Sequence, residues 1–324
     1  MPKPDMSVNI APGHESGLLL RAPVMIACGT FGQDGYGDGM PPGSDWQTLG
    51  AVVAKTATVR ERLGNPRPRI AHGRAWTMNS IGLANPGIDT VLRDYAPKWT
   101  AWQVPVILSI AGESVDDFHA LASAVDGTPG VAAIEINVSC PNVAGGLDFA
   151  QSPELTAGVV RAVVGATSLP VIAKLSPNVA DIVPIAQAAE TAGAHALTLT
   201  NTLIGMALDR DTGGSVLGAV TGGVSGPALK PITLAMVYRT YRAVGIPIIG
   251  VGGIESTDDA LDYLHAGAAA VQVGTANFTN PRAPVEVQSG LERRLARRRL
   301  ASVSALTGLA HRDAPSPAQA PVQA

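Results

Sequence analysis

Val171-Ile-Ala-Lys-Leu175 and Ala196-Leu-Thr-Leu-Thr200 are two short apolar runs that flank a helix-like stretch, Val179–Ala192. Strand, helix and strand in this spacing make a parallel βαβ unit. Both runs are continuous rather than alternating in hydrophobicity, as expected of strands covered on both faces. The same grammar recurs outward in both directions. Further strands are read at Pro23–Ala27, Ala51–Lys55, Val106–Ile110, Ala133–Asn137, Ile246–Val251 and Ala269–Val273. Further helices are read at Val115–Val125, Pro153–Val164, Pro227–Ala243 and Asp258–Ala266. Leu155, Val159, Val160 and Val163 keep helical spacing, and Asp116 and Asp117 suit a helix N-terminus. Strands alternating with helices in this way predict an α/β fold, a single (β/α)8 TIM barrel over residues 1–313. The intervals 56–102 and 201–226 are too long for plain crossovers. They predict long loop insertions on the catalytic face. Residues 314–324 are rich in Ala, Pro and Gln, and read as a disordered tail.

Composition narrows the function classes. The chain of 324 residues carries 23 Lys plus Arg against 26 Asp plus Glu, a formal charge of -3. A dedicated nucleic-acid binder is usually strongly basic, and 4% aromatic residues leave little for base stacking. With 46% hydrophobic and 15% charged residues the chain is not a disordered one. No apolar run approaches the ~20 residues of a membrane span. The two cysteines, Cys28 and Cys140, do not form a disulfide framework, and the N-terminal stretch lacks signal-peptide grammar. A cytoplasmic protein without nucleic-acid or membrane partners is therefore expected. No His, Cys and Asp spacing resembles a metal site. His119 and His265 fall within helix patterns as ordinary boundary residues. The run Arg293, Arg294, Arg297, Arg298 and Arg299 reads as the solvated face of a last helix, with Leu291 and Leu295 turned inward.

In a barrel of this type chemistry sits at the C-terminal ends of the strands. Those ends carry Cys28, Lys55-Thr56, Ser109, Asn137 to Asn142, Lys174, Thr200-Asn201-Thr202, Gly252-Gly253 and Gly274-Thr275. So many polar and small residues on one rim are better explained by a ligand site than by chance loop polarity. The glycines after strands seven and eight, with Gly226 opening the preceding helix, suit a phosphate cradle of backbone N–H groups. Turn-making alone is the plainer alternative. Lys55 and Lys174 end otherwise apolar strands. They either face an electron-rich ring that gains negative charge or are held by a neighbouring acid such as Glu135 or Asp181. Cys140, flanked by Asn137 and Asn142, is a candidate catalytic base. The carboxamides offer donors and acceptors to a ring bearing alternating C=O and N–H groups.

Asn137-Val-Ser-Cys-Pro-Asn142, Met78-Asn-Ser-Ile-Gly-Leu-Ala-Asn-Pro86, Ala173-Lys-Leu-Ser-Pro-Asn178, Thr200-Asn-Thr-Leu-Ile-Gly-Met206 and Val251-Gly-Gly-Ile254 together resemble class 1 dihydroorotate dehydrogenase. The resemblance runs from about Pro23 to Asn280 and is closest to type B, the NAD-linked form. It implies oxidation of (S)-dihydroorotate to orotate in pyrimidine biosynthesis. Cys140 would take the C5 proton and FMN N5 the C6 hydride. It implies substrate contacts from Lys55, Asn79, Ser80, Ile81, Gly82, Leu83, Asn137, Asn142, Asn201 and Thr202. For FMN it implies Cys28, Lys55, Thr56, Ser109, Asn137, Lys174, Thr200, Gly226, Gly252, Gly253, Gly274 and Thr275. It further implies a homodimer core joined to an iron–sulfur flavoprotein subunit, with FAD and a 2Fe-2S cluster on that partner. Two positions depart from the family pattern: Cys28 stands where Ser is usual, and Ser109 where Asn is usual. Rival readings are a fumarate-linked type A enzyme, a dihydropyrimidine dehydrogenase-like flavin reductase, and a non-catalytic flavin- or phosphate-binding barrel.

Overall fold

A computed structural model describes residues 3–40, 43–139 and 149–312. Eight strands close into a barrel: β1 (Val24–Ile26), β2 (Ala51–Ala57), β3 (Val106–Ile110), β4 (Ala133–Asn137), β5 (Val171–Leu175), β6 (Ala196–Leu199), β7 (Ile248–Val251) and β8 (Ala270–Val273). Every neighbouring pair is parallel, and β8 closes on β1 through Val271 opposite Val24. β3 and β5 are buried along their whole length, which is why they read as unbroken apolar runs. One contiguous core unites strand residues such as Ile107 and Ile134 with helix residues such as Leu121 and Val160, all fully buried.

The outer helices are α1 (Ile88–Asp94), α2 (Ala96–Thr100), α3 (Val115–Val125), α4 (Pro153–Val164), α5 (Val183–Thr191), α6 (Lys230–Tyr241), α7 (Thr257–Ala266), α8 (Ala276–Thr279) and α9 (Ala283–Arg298). Three begin on a serine cap. Ser114, Ser152 and Ser256 accept from the N–H of Asp117, Leu155 and Asp259, each cap stabilising its helix by about 1 kcal/mol. Two helices start later than the hydrophobic pattern suggests. Before α5, Asp181 accepts from the Val183 N–H and Pro184 sits in the first turn. Before α6, Pro227–Leu229 forms a separate 3₁₀ turn, and Pro231 then opens the α-helix. A proline lacks the N–H that would continue an earlier helix and is tolerated only in the first turn.

The two long excursions are one structure rather than two loops. Ile70–Gly73, Trp76–Asn79, Gly222–Ser225 and Leu203–Gly205 pair antiparallel in that order. The central pairing sets Asn79 opposite Gly223, so the sheet ties the β2 excursion to the β6 excursion. Helices α1 and α2 lie in the first excursion as well. The segment after β1 is pinned by edge-to-face contacts of Phe31 with Trp46 and Trp102, centroids 4.9 and 5.5 Å apart. In α9, Leu291 and Leu295 are fully buried. Arg294 on its outer side reaches Asp258 at 2.5 Å. Among the described residues no helix is long and apolar enough to cross a membrane. The tail 314–324 lies outside the described residues.

Candidate functional site

The strand ends form a linked ring. Between β1 and β3 the Cys28 thiol lies 3.4 Å from the Thr56 hydroxyl, which lies 2.9 Å from the Ser109 hydroxyl. The two positions that depart from the family pattern, Cys28 and Ser109, are thus joined through one threonine. At the end of β4, Asn137 Oδ1 accepts from Asn201 Nδ2 at 3.1 Å and from the Ser139 N–H at 3.2 Å. Asn137 also pairs in register with Lys174 on β5. After β6, the Asn201 N–H donates to Leu175 O and the Thr200 N–H to Val251 O, joining β5, β6 and β7. At the seam a Cβ on Gly274 would sit 3.3 Å from that of Ala27. Residues scattered from 28 to 274 thereby share one rim.

The antiparallel sheet brings the second half of the site to this rim. Asn79 Nδ2 donates to Gly223 O at 3.3 Å. A Cβ on Gly223 would overlap the Thr202 hydroxyl, so Asn79, Gly223 and Thr202 are in close packing. The following residues, Ser80 to Leu83, are braced from behind. Asn65 donates to the Ser80 hydroxyl at 2.8 Å and its N–H to Ile81 O at 3.1 Å. Gly82 adopts φ +69 and Leu83 φ +54. Only a left-handed turn, permissive to glycine and strained for leucine, gives this path.

The two lysines differ. Lys55 is half-buried, and its N–H donates to Gly35 O at 2.9 Å. Burial pushes its pKa down, opposed by the nearby Cys28 and Asp34 and reinforced by Arg69. No carboxylate among the described residues lies in ion-pair range of it, whereas Lys174 has a barrel acid nearby. Lys174 faces Glu135 at 3.8 Å, so for this residue the neighbouring-acid reading holds alongside any ligand role. Asp181 instead pairs with Arg239 at 2.8 Å.

Glycines crowd the ends of β7 and β8 because side chains do not fit. Gly226 has φ +94, Gly252 φ +137 and Gly253 φ +66. A Cβ on Gly252 would lie 2.6 Å from the Thr233 hydroxyl, and one on Gly253 2.9 Å from Gly226 O. Lys230 touches the same spot, but Asp259 and Asp262 hold its Nζ at 2.5 and 2.6 Å. Among the described residues the N–H groups of Gly252 and Gly253 reach no backbone acceptor. The donors of this cradle are therefore backbone groups, suited to a phosphate. Gly253→Ala is expected to weaken binding of a phosphorylated cofactor at least tenfold. It should also lower stability by about 1–3 kcal/mol, the cost of a side chain at that φ. Equilibrium dialysis and thermal unfolding measure the two effects, and an unchanged cofactor affinity would remove Gly253 from the cradle.

Cys140 and Asn142 lie outside the described residues. Three residues that sequence reasoning did not assign to the site stand out. Asn178 donates to Thr202 O at 3.0 Å and accepts from the Ile204 N–H at 2.8 Å, fixing the loop that carries Asn201 and Thr202. An asparagine just after Ser176-Pro177 is a turn signal that could have indicated this. Asn277 donates to the Thr30 hydroxyl at 2.9 Å across the seam, with no local signal. Glu135 is a carboxylate in the middle of an apolar strand and is fully buried. Its position alone was the available clue.

The family model described as dihydroorotate dehydrogenase matches residues 14–295. A catalytic subunit of dihydroorotate dehydrogenase B (NAD(+)) from Desulforudis audaxviator is 49% identical over 298 residues, covering 92% of this chain and 96% of that protein. Proteins of the same description from Trichlorobacter lovleyi and Geobacter sulfurreducens are 48% and 47% identical. These alignments cover 94% and 95% of this chain, and 98% and 99% of the relatives.

Proposed function

The chain belongs to the dihydroorotate dehydrogenase family, and we propose that it is the catalytic subunit of a type B, NAD-linked enzyme that oxidises dihydroorotate to orotate with FMN. The observation that carries this reading is the joined rim. The carboxamide pair Asn137–Asn201 meets the Asn79–Leu83 turn through Thr202, beside two lysines and a glycine cradle. The donor set fits a flavin mononucleotide. Gly226, Gly252, Gly253, Gly274 and Thr275 would hold its single phosphate. Lys55, Lys174, Thr56, Ser109, Thr200 and Cys28 would line its ring. Bound FMN supplies a two-electron acceptor for the hydride that leaves C6 of the substrate.

The protein's own residues do the rest. Asn79, Asn137, Asn142, Asn201 and Thr202 would orient the dihydropyrimidine through its alternating C=O and N–H groups. Ser80, Ile81, Gly82 and Leu83 would close over its edge and exclude water. Lys55 would meet both flavin and substrate, and with no ion-pair partner among the described residues its charge is left for them. Cys140 would accept the proton from C5, so that proton loss at C5 and hydride loss at C6 leave the double bond of orotate. A homodimer core with an iron–sulfur flavoprotein partner completes the proposal, and the setting is cytoplasmic.

The purified protein is expected to be yellow, to release FMN on heating, and to bleach when dihydroorotate is added without oxygen. One phosphate cradle and no Gly-x-Gly-x-x-Gly fingerprint after a first strand point to a mononucleotide. A released cofactor that runs as FAD on chromatography, or a flavin that stays oxidised with dihydroorotate, would overturn the assignment.

A further inference from the structure

We propose that Glu135 is a positioning residue for the flavin chemistry, anchoring Lys174 one layer below the rim and setting how much positive field the ring pocket receives. The inference rests on the FMN reading above. Glu135 projects from β4 into a barrel interior where its side chain is wholly buried. Its Oε2 accepts from the Thr198 hydroxyl on β6 at 2.9 Å and from Gln272 Nε2 on β8 at 3.0 Å. Its Oε1 is buried with no hydrogen bond among the described residues, and the nearest cation is Lys174 Nζ at 3.8 Å.

That asymmetry is informative. A charge-assisted N–H···O bond closes to about 2.7–2.9 Å when nothing competes. Here the ammonium stands off by about a further ångström, and Thr198 is its register partner on the next strand. A carboxylate with one satisfied and one unsatisfied oxygen is costly in an apolar barrel. It persists where a cation shared with something above the rim compensates it. Lys174 fits that part, because its side chain is 10% exposed and Asn137 of the carboxamide pair lies beside it in register. Glu135 would then pull on the ammonium from below while the flavin ring pulls from above. Oxidised flavin that takes up a nucleophile at N5 gains negative charge on the ring, so the net field of the Lys174–Glu135 pair is read directly by that equilibrium.

Inorganic sulfite, which adds to N5 of oxidised flavin, is the probe. Glu135→Gln keeps the shape and removes the counter-charge. It is expected to tighten sulfite binding by about tenfold or more and to raise the flavin midpoint potential. Thr198→Val removes one donor from Oε2, leaves the carboxylate less compensated, and is expected to weaken sulfite binding several-fold. The opposite signs are what a merely structural role would not produce. The weakening expected of Thr198→Val keeps the test decisive on its own should Glu135→Gln fail to fold. Unchanged or reversed shifts in flavin-replete variants would overturn the role of Glu135 and leave the FMN reading intact. A wild-type protein with no flavin spectrum would instead remove that reading and this inference with it.

Discussion

Cys140→Ser is expected to slow flavin reduction by dihydroorotate by about 10²–10⁴-fold, the usual worth of a positioned general base. Orotate affinity should change far less. A serine hydroxyl is a much weaker base than a thiol, whose ordinary pKa of about 8.5 puts thiolate within reach near neutral pH. The loss therefore falls on proton abstraction from C5 rather than on binding. Raising the pH should restore part of the rate. Just before this position Asn137 accepts from the Ser139 N–H and from Asn201 Nδ2. The β4 exit is thereby locked to the carboxamide that would hold the ring. Anaerobic stopped-flow bleaching of the flavin measures the rate, and an orotate titration measures the affinity. A variant that reduces flavin at the wild-type rate and loses only affinity would make Cys140 a packing residue.

The barrel was legible because its strands are buried on both faces. Val171–Leu175 reads as continuous apolar sequence and is buried along its length, and the boundaries of β3, β4 and β5 match the sequence reading residue for residue. The rim was legible for the same reason in reverse. A lysine or asparagine at the end of such a run has no apolar explanation, and Asn137, Lys174 and Thr200 do gather on one rim. The antiparallel sheet was not legible. Gly222–Ser225 contains two glycines, and Ile70–Gly73 is an edge strand with mixed exposure, so neither shows strand periodicity. The pairing that joins the two excursions, Asn79 with Gly223, spans 144 residues. Register of that kind is set by tertiary packing rather than by local pattern. Asn277, which bonds Thr30 across the closing seam, escaped for the same reason. Glu135 was visible as an oddity in β4, but its partners come from β5, β6 and β8, and only the closed barrel brings them together.

Mixed alone with NAD, the protein is expected to reduce it negligibly, and to gain that activity when an iron–sulfur flavoprotein subunit is added. Reduced FMN must pass its electrons on. An iron–sulfur cluster needs about four thiolates. The 324 residues hold two cysteines, Cys28 and Cys140, too few for a cluster even together. Cys28 itself sits against Thr56 on the rim, where it would line the flavin rather than ligate iron. Nor does the sequence carry a Gly-x-Gly-x-x-Gly dinucleotide fingerprint for FAD or NAD. Electrons that reach NAD must therefore cross to cofactors held by another polypeptide docked close to the flavin. The relatives aligned over nearly their full length are described as catalytic subunits, which is the division of labour such a route requires. NADH formation followed at 340 nm, with and without the partner, reads the difference directly. Rapid reoxidation of the dihydroorotate-reduced protein by fumarate, from a partner-free homodimer that ignores NAD, would overturn the type B route in favour of the fumarate-linked one.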